Sequence, residues 1–469
     1  MTDFNFDLQP KIQPILDKEF YPASLFNRRY LELVDLSGKA VPIRISIERG
    51  DGLISTLETQ ILEENHEMAD YNRLYIERLI KSFLWIKGGW KITFGGPHKI
   101  GRFIKEAYSY GGIREFDAKF MSKVYEKPFA VEITDCSNVP ESREGAKPIG
   151  RHLDGCRIGF DAGGSDRKVS AVIDGEAVFS EEVVWHPKLS ENPDYQYEGI
   201  MDSIKRAASK MPKVDAIGVS AAGVYIDNRV RVASLFIKVP EDLFEKKVKD
   251  MFINIAKEMG NVPIEVANDG DVTALAGAMD LNDTNVLGIA MGTSEAGGYV
   301  DGHGNITGWL NELAFIPVDY NQSAMVDEWS GDYGCGVKYF SQDSVIKLAP
   351  AAGIDLDESL SPAEKLKAVQ KLFTEEHEGA RMIFESIGCY LGYAIAHYAY
   401  FYDIKHVLIL GRVTSGEGGA LIQKYAQKVL EAEFPELASK ISLHLPDESS
   451  RRVGQSIAAA SLPDINFII

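Results

Sequence analysis

Residues 157–179 read Arg157-Ile-Gly-Phe-Asp161-Ala-Gly163-Gly164-Ser165-Asp-Arg-Lys168-Val-Ser-Ala-Val-Ile173-Asp174-Gly175-Glu-Ala-Val-Phe179. An apolar strand ends in an aspartate, a glycine turn reverses the chain, and a second strand ends at Asp-Gly, a dipeptide typical of tight hairpins. Backbone N–H groups of such a turn can approach a phosphate, Ser165 adds a hydroxyl, and Asp161 can hold a metal ion or orient water. An ordinary hairpin explains the stretch equally well, so its function depends on the residues that follow.

The composition limits the ligands this chain can bind. The chain has 469 residues and a formal net charge of −19. The length predicts roughly two to four domains. The negative charge argues against a nucleic-acid or anionic-membrane surface, because both are polyanions. Any anionic ligand must therefore be held locally, by backbone N–H groups, a side-chain cation or a metal ion.

The cysteines and the N-terminus indicate a reduced, cytoplasmic protein. The four cysteines are scattered without a Cys-x-x-Cys pair: Cys136, Cys156, Cys335 and Cys389. The first residues have neither the basic nor the apolar segment of a signal peptide, and no uncharged run is long enough to span a bilayer. We therefore expect a soluble cytoplasmic protein with no membrane partner.

The first 150 residues read as a separate α+β unit. Apolar residues at 75–84 have helical spacing, and Gly88-Gly89 ends that helix. Residues 90–94 read as a strand, Gly95-Gly96-Pro97 as a turn, and residues 100–108 as a second helix. A glycine turn before a helix could bind an anion, but a tight turn in a small unit is the simpler interpretation.

This unit shows no short helix-turn-helix with a basic recognition helix, so we expect no DNA binding. Its Trp85, Trp90 and Phe94 predict that it packs on the rest of the chain. The polar, turn-rich segment 136–149 is the best candidate for a linker.

Strands and helices alternate after the first hairpin. Residues 179–185 continue a three-stranded meander, and 197–211 read as a helix. A buried strand at 214–220, a helix at 242–259 and a strand at 264–267 follow. This order predicts a mixed sheet covered by helices.

Asn268 and Asp269 follow the last of these strands and precede a helix of small residues. A carboxylate in that position can remove a proton from a substrate hydroxyl. The pair is also a common helix N-cap, and taken singly it favours that interpretation.

A second hairpin repeats the pattern of the first. The strand 285–291 leads into Gly292-Thr293-Ser294-Glu295-Ala-Gly297-Gly298, and a second strand ends at Asp301-Gly302. Two such hairpins on either side of a strand that ends in Asp are expected of duplicated lobes that hold one triphosphate. Glu295 inside the second turn would repel phosphate unless its side chain points away.

The ordered motifs of the chain resemble those of the repressor, ORF and kinase (ROK) family of the actin/hexokinase superfamily. The motifs are Asp161-x-Gly163-Gly164-Ser165, Asn268-Asp269, Gly292-Thr293-x-x-x-Gly297-Gly298, Asn311-Glu312, Gly388-x-x-Leu391-Gly392, the strand ending at Gly411, and Arg452-Val-Gly454. The resemblance implies an α/β fold with two ribonuclease-H-like, actin-like ATPase lobes around a nucleotide cleft. Four parts are expected: an accessory α+β domain of unassigned role (1–150), a first lobe with the first phosphate hairpin (151–267), a second lobe with the second hairpin and the adenosine side (268–450), and a helix that returns to the first lobe (451–469).

The resemblance also implies a function and residue roles. It implies transfer of the γ-phosphoryl group of ATP to a sugar hydroxyl with Mg²⁺, as in carbohydrate metabolism, by a protein that forms a homodimer. Asp269 would be the catalytic base, Asn268 and Glu312 would bind the sugar, and Asp161 would hold Mg²⁺. The nucleotide would be bound by Gly163, Gly164 and Ser165 in the first turn, by Gly292, Thr293, Gly297 and Gly298 in the second, and by Gly411 on the adenosine side.

The chain departs from the family's usual Gly-Glu-x-Gly-His and Cys-x-Cys-Gly-x-x-Gly-Cys-x-Glu segments. Phe315 replaces the His, Glu328 and Ser330 replace two cysteines, and Val337 replaces the second sugar-facing Glu. A tetrahedral zinc site cannot form on Cys335 with so few nitrogen and sulfur ligands, so no zinc is expected. The loss of a His and a Glu also removes polar partners that buried sugar hydroxyls need.

Two interpretations follow from these motifs. The first is an ATP-dependent hexose-like sugar kinase, a transferase with an altered acceptor. The second is a weakly active or inactive regulatory protein that binds nucleotide or sugar, which the altered sugar site, Glu295 and the extra domain favour.

Overall fold

The computed structural model describes residue 6 and residues 8–145, 149–446 and 448–465, with the backbone alone at 448–453. In its described residues, the N-terminal unit has four α-helices and a four-stranded sheet. Its elements in chain order are α1 (Ala23–Leu36), β1 (Val41–Glu48), β2 (Ile54–Ile61), α2 (Tyr71–Lys87), β3 (Lys91–Gly95), α3 (His98–Ala107), α4 (Glu115–Tyr125) and β4 (Ala130–Thr134). The strand order is β2-β1-β3-β4, with β3 and β4 parallel and the other pairs antiparallel.

The first lobe is built on a five-stranded mixed sheet. Its elements are β5 (Cys156–Ala162), β6 (Asp166–Ile173), β7 (Glu176–Val184), α5 (Asp194–Ala208), β8 (Ala216–Ala221), β9 (Val224–Ile226), β10 (Arg229–Val232), α6 (Glu241–Leu243), α7 (Met251–Glu258) and β11 (Ile264–Asn268). The strand order is β11-β8-β5-β6-β7, with β9 and β10 paired separately. The meander β5-β6-β7 is antiparallel, and β5, β8 and β11 are parallel.

The second lobe has a four-stranded sheet and most of the long helices. Its elements are α8 (Asp269–Leu281), β12 (Val286–Met291), β13 (Glu295–Val300), α9 (Gln342–Leu348), α10 (Pro362–Thr374), α11 (Glu378–Tyr398), β14 (His406–Leu410), α12 (Glu417–Glu433), α13 (Pro435–Ala438) and β15 (Ser442–His444). The helix α14 (Glu448–Ala460) follows the second lobe. The strand order is β13-β12-β14-β15, with the hairpin β12-β13 antiparallel and the other pairs parallel.

The two lobes share one strand pattern. In each sheet an antiparallel hairpin is followed by two parallel strands, as β6-β5-β8-β11 and as β13-β12-β14-β15. Helix α14 lies on the first of these sheets: the Ser170 hydroxyl hydrogen bonds to the Ser456 hydroxyl at 2.8 Å. Arg157 in β5 also donates to the carbonyl oxygen of Pro463 at 2.6 Å. The last described residues therefore pack against the first lobe.

The prediction of one continuous helix at 242–259 is wrong. The structure has the short α6, a π-helical turn at Phe244–Val248 and then α7. The carbonyl oxygen of Lys249 accepts a hydrogen bond from the N–H of Val230 in β10 at 3.0 Å, and Asp250 leaves the helical conformation. A contact with a neighbouring strand thus interrupts the helix, and no periodicity in the sequence could indicate it.

The N-terminal unit packs tightly on the second lobe. Arg78 and Lys81 of α2 each donate to a carboxylate oxygen of Asp332 at 2.7 Å, and Arg114 donates to the same oxygen at 2.8 Å. The expected linker is partly anchored, because Arg143 pairs with Ile54 in β2; its residues 146–148 lie outside the described part. None of the helices in the described part is long and apolar enough to cross a membrane.

Candidate active site

Asp269 lies where β11 passes directly into α8. The helix cap is Asn268, whose side-chain oxygen accepts from the Gly270 N–H at 2.8 Å and whose amide nitrogen donates to the Gly223 carbonyl at 2.8 Å. The Asp269 carboxylate accepts from the same Gly270 N–H at 3.0 Å. Burial raises the pKa of Asp269. Because Asn268 caps the helix, the carboxylate of Asp269 is not needed for that purpose.

A cavity of about 660 Å³ between the two lobes contains Asp269 and Glu312 in its wall. Asn268 and Thr293 also line it, so the cap residue, the candidate base and the second glycine turn face one space. Burial, together with the charges of Asp269 and Asp271, raises the pKa of Glu312 to about 7. Two carboxylates therefore line the cavity, and the charge of Asp269 makes Glu312 a better proton acceptor.

Asp271 fixes the loop that carries Glu312. Its Oδ1 accepts from the main-chain N–H of Tyr299 at 3.0 Å and from the side-chain nitrogen of Asn311 at 2.8 Å. The Tyr402 hydroxyl donates to the Asn311 side-chain oxygen at 2.9 Å. Burial raises the pKa of Asp271 to about 7. This buried network positions the loop, and Asp271 lies beneath the cavity rather than in its wall.

The first glycine turn projects from the end of β5. Gly164 and Ser165 are exposed at its tip, and the Trp185 indole donates to the Gly163 carbonyl at 2.7 Å. Asp161 is buried behind the turn, where the Ser220 hydroxyl donates to it at 2.9 Å. Burial raises the pKa of Asp161 to about 6. The turn is thus anchored by Trp185, and its tip is open to solvent.

The second glycine turn joins β12 to β13. Gly292 and Thr293 lie in this turn, and Thr293 is exposed. Gly411 directly follows β14, with a φ of 101°, in the left-handed region that favours glycine. The next residue, Arg412, donates to the Thr293 hydroxyl at 2.5 Å. The end of β14 and the second turn therefore meet.

Gly297 and Gly298 lie away from this turn, inside β13. A Cβ atom at Gly298 would lie 2.1 Å from the carbonyl oxygen of Gly270, and one at Gly297 would lie 2.4 Å from the Leu313 side chain. These two glycines let β13 approach the start of α8 and the loop that carries Glu312. Close packing accounts for both glycines without a phosphate contact.

Four residues at the site have no counterpart in the sequence motifs. A Cβ at Gly164 would lie 3.2 Å from the Lys188 ammonium nitrogen, so Lys188 stands beside the first turn as Arg412 does beside the second. Phe120 and Lys123 of α4 line the cavity. Among these four residues, only Arg412 lies next to a motif residue, Gly411, which could have indicated its position. The tertiary fold brings the other three to the site from outside the motifs.

Glu295 points away from the second turn and into the second lobe. Its side chain is 3% exposed, and the Tyr398 hydroxyl donates to it at 3.2 Å. Burial raises the pKa of Glu295 to about 8. Burial therefore favours the neutral carboxyl group, which would not repel a phosphate at the turn.

The residues at the family's zinc positions are engaged in other contacts. Glu328 accepts from the Lys338 ammonium at 2.5 Å, and the Ser330 hydroxyl donates to Asp327 at 2.6 Å. Burial raises the pKa of Cys335 to about 11, which disfavours the thiolate that zinc requires. Across residues 8–145, 149–446 and 454–465, no three His, Cys, Asp or Glu side chains converge as metal ligands.

Comparisons with known proteins agree on the fold. A model of the ROK family matches residues 157–458. The ROK hexokinase from Thermus thermophilus is similar in structure, with a TM-score of 0.50 and 19% identity over 65% of this chain and 97% of that one. A ROK family glucokinase from Streptomyces griseus, solved with glucose and AMPPNP, has a TM-score of 0.47 and 20% identity over 64% and 98% of the two chains.

A ROK family transcriptional regulator, a homologue of the Escherichia coli MLC protein, has a TM-score of 0.49 and 16% identity over 66% of this chain and 79% of that one. A comparison with curated protein sequences finds no match. The similarity to the Thermus thermophilus hexokinase, at 19% identity, shows the fold alone. The predicted α/β fold, with two actin-like ATPase lobes preceded by an α+β region, is confirmed.

Proposed function

Because the chain belongs to the ROK family, we propose that it is an ATP-dependent kinase that transfers the γ-phosphoryl group of Mg-ATP to a hydroxyl of a sugar-like acceptor. The observation that carries this proposal is the position of Asp269. Its carboxylate, relieved of helix capping by Asn268, lines the cavity between the lobes together with Glu312 and Thr293. An acceptor hydroxyl bound there would lie beside the second glycine turn, as in-line attack on a phosphate held at that turn requires.

The residues around the two turns fit a magnesium-bound triphosphate. Mg²⁺ commonly binds one or two protein carboxylates together with substrate phosphates, and Asp161 behind the first turn supplies one. Lys188 places a positive charge beside the first turn, and Arg412 places one beside the second. Because the chain has a net charge of −19, a bound triphosphate needs such local cations. When bound, Mg²⁺ would neutralise the charge that develops on the transferred group.

The protein's own groups would act as follows. Asn268 and Glu312 hold hydroxyl groups of the acceptor, and Asp269 accepts a hydrogen bond from the hydroxyl that reacts. As the oxygen–phosphorus bond forms and the bond to the ADP oxygen breaks, the hydroxyl proton passes to the Asp269 carboxylate. Positioned proton transfer of this kind contributes about 10²–10⁴-fold. A pKa raised by burial makes Asp269 a stronger base than an exposed aspartate.

A second candidate, a regulatory protein that binds ligand without turnover, is favoured by the departures from the family's sugar-binding segments. Phe315 and Val337 line the cavity where the family motif has side chains that hydrogen bond to sugar. A protein of this kind would bind nucleotide or acceptor and change conformation, with Asp269 serving only as a binding group.

One assay separates the two candidates. ADP formation is measured with Mg-ATP and a panel of hexoses, amino sugars and their glycosides, and products are examined for phosphate esters by mass spectrometry. We expect one or more acceptors to give an ester and stoichiometric ADP. Saturable binding of Mg-ATP and of an acceptor by calorimetry, with no ester above the background of an Asp269→Asn control, would reject the kinase and favour the regulatory protein.

A further inference from the structure

The N-terminal unit supplies part of the wall of the cavity that contains Asp269. Phe120 and Lys123, three residues apart on one face of α4, both line that cavity. The ammonium nitrogen of Lys123 lies 3.7 Å from a carboxylate oxygen of Glu241 and 5.8 Å from the centre of the Phe244 ring, both in the first lobe. The N-terminal unit packs on the second lobe, and its helix α4 also contacts the first lobe. Helix α4 therefore forms a wall of the cavity that reaches from one lobe to the other.

Much of this wall is apolar. Six large apolar side chains line the cavity: Phe120, Phe236, Ile237, Phe244, Phe315 and Trp329. Ile237 is 59% exposed and Trp329 is 69% exposed, so both present apolar surface to the solvent at the cavity. Exposed apolar side chains gathered around a concave site indicate a ligand surface rather than a core.

The aromatic group at this wall is built jointly by the N-terminal unit and the loop that carries Glu312. Phe315, three residues after Glu312, stacks on Trp85 of α2, with ring centres 4.2 Å apart and planes inclined by 28°. The ring of Phe120 lies 6.3 Å from that of Phe315. Phe315 occupies the position of the His in the family motif. A hydrogen-bonding side chain is thus replaced by an aromatic ring that packs against rings of the N-terminal unit.

We propose that the N-terminal unit is part of the acceptor site, and that the acceptor is a sugar-like alcohol carrying an apolar substituent, such as an aryl or alkyl glycoside. This rests on the proposed function, which sets the reacting hydroxyl at Asp269. The substituent then packs against Phe120, Phe244 and Phe315.

The size and chemistry of the cavity support this acceptor class. Its volume of about 660 Å³ lies within the roughly 300–1,000 Å³ of sites for drug-sized ligands, more than one pyranose ring fills. A free hexose would turn hydroxyl groups toward Phe315 and Val337, where they lose water without gaining a partner. An apolar substituent in the same place leaves water favourably.

The test compares matched ligands by calorimetry in the absence of nucleotide. Glucose, mannose and galactose are each compared with both anomers of their phenyl and octyl glycosides. We expect at least one glycoside to bind about tenfold or more tightly than its free hexose, the discrimination a hydrophobic pocket provides. Equal or weaker binding of every glycoside, or no binding by the whole panel, would overturn the proposal.

Variants then assign the preference to the N-terminal unit. Phe120→Ala is expected to reduce the ratio of glycoside to hexose affinity about tenfold, and Phe103→Ala, in α3 and outside the cavity wall, is expected to leave it unchanged. Phe120→Leu removes the ring but keeps the cluster apolar, which covers the case in which the alanine variant does not fold. An unchanged ratio in folded Phe120 variants would overturn the role of the unit. Because no nucleotide is present, these results stand whether or not phosphoryl transfer is found.

Discussion

The main-chain N–H of Glu312 donates a hydrogen bond to the carbonyl oxygen of Trp85 at 3.1 Å, and that of the preceding Asn311 donates to the Ile86 carbonyl at 3.0 Å. Trp85 and Ile86 belong to the last turn of α2, where helix carbonyls have no partner within the helix. The loop that carries Glu312 therefore completes the end of a helix in the N-terminal unit, and that helix fixes the position of Glu312. We therefore expect folding of the unit and formation of the candidate site to be coupled.

The buried ion pairs of Asp332 should be essential for this coupling. Burial would raise the pKa of Asp332, but the charges of Arg78, Lys81 and Arg114 hold it well below its usual value. We expect Asp332→Asn to lower the free energy of unfolding by about 3–5 kcal/mol, because it leaves buried cations without their counter-charge. Urea unfolding followed by circular dichroism measures this loss.

The exposed Asp355 provides the matched control, and Asp355→Asn should change stability by less than about 0.5 kcal/mol. An equally small effect of Asp332→Asn would show that the N-terminal unit is held by its apolar contacts alone. Wild-type stability should also decline as the pH falls below the pKa of an unfolded aspartate, about 3.9, because protonation of Asp332 opposes its ion pairs.

Glu295 predicts a pH dependence of the opposite sign. Its pKa is about 8 in the folded protein against a usual value of 4.5. Between these values the folded state keeps a proton that the unfolded state has lost, so this residue lowers stability as the pH rises. Glu295→Gln should keep the hydrogen bond to Tyr398 and abolish this loss of stability. The free energy of unfolding of the variant should therefore rise relative to that of wild type from pH 5 to pH 8.

Urea midpoints measured at several pH values test this prediction, with Glu358→Gln, at an exposed position, as the control. Parallel curves for wild type and Glu295→Gln would mean that Glu295 is ionised in the folded state. In that case a carboxylate would lie behind the second turn, and phosphate binding there would need a further cation.

The sequence predicted those parts of the fold that depend on neighbouring residues. Asp174 and Gly175 have φ values of 47° and 86°, as a tight hairpin turn requires, and Gly88 ends α2 with a φ of 72°. The sequence does not determine the inward direction of Glu295, because it depends on Tyr398, about a hundred residues away in the chain. Helix α4 at the cavity could not be predicted for the same reason: a pattern in the sequence gives periodicity but not which distant surface a helix meets.

Arg412 should contribute to nucleotide binding. It lies on the surface next to Gly411 and reaches the second turn through the Thr293 hydroxyl. We expect Arg412→Ala to raise the Kd of Mg-ATP roughly tenfold, since a hydrogen bond to a charged group contributes about 1.5–3 kcal/mol. Calorimetry at two salt concentrations measures the effect, and the difference between wild type and variant should shrink at high salt.

Lys424→Ala, which removes an exposed cation from the neighbouring helix α12, is the control for a general change in charge. Equal weakening by both substitutions would show that Arg412 acts only through net charge. An unchanged Kd in Arg412→Ala would mean that the nucleotide does not reach the second turn.

Asp269 provides the most direct test of the proposed chemistry. Asp269→Asn keeps the shape of the side chain and removes its basicity, so with an acceptor found by screening kcat should fall about 10²–10⁴-fold. Stability and the Kd of Mg-ATP should change little, because the cap of α8 is the intact Asn268. In wild type the rate should fall as the pH drops through the pKa of Asp269, which burial raises above its usual value. The variant should lack this fall in rate at low pH.

Asp280→Asn, at an exposed position in the same helix, is the control and should retain both the rate and the pH profile. If Asp269→Asn transferred phosphate at the wild-type rate, Asp269 would not be the base, and Glu312, the other carboxylate in the cavity wall, would be the next candidate.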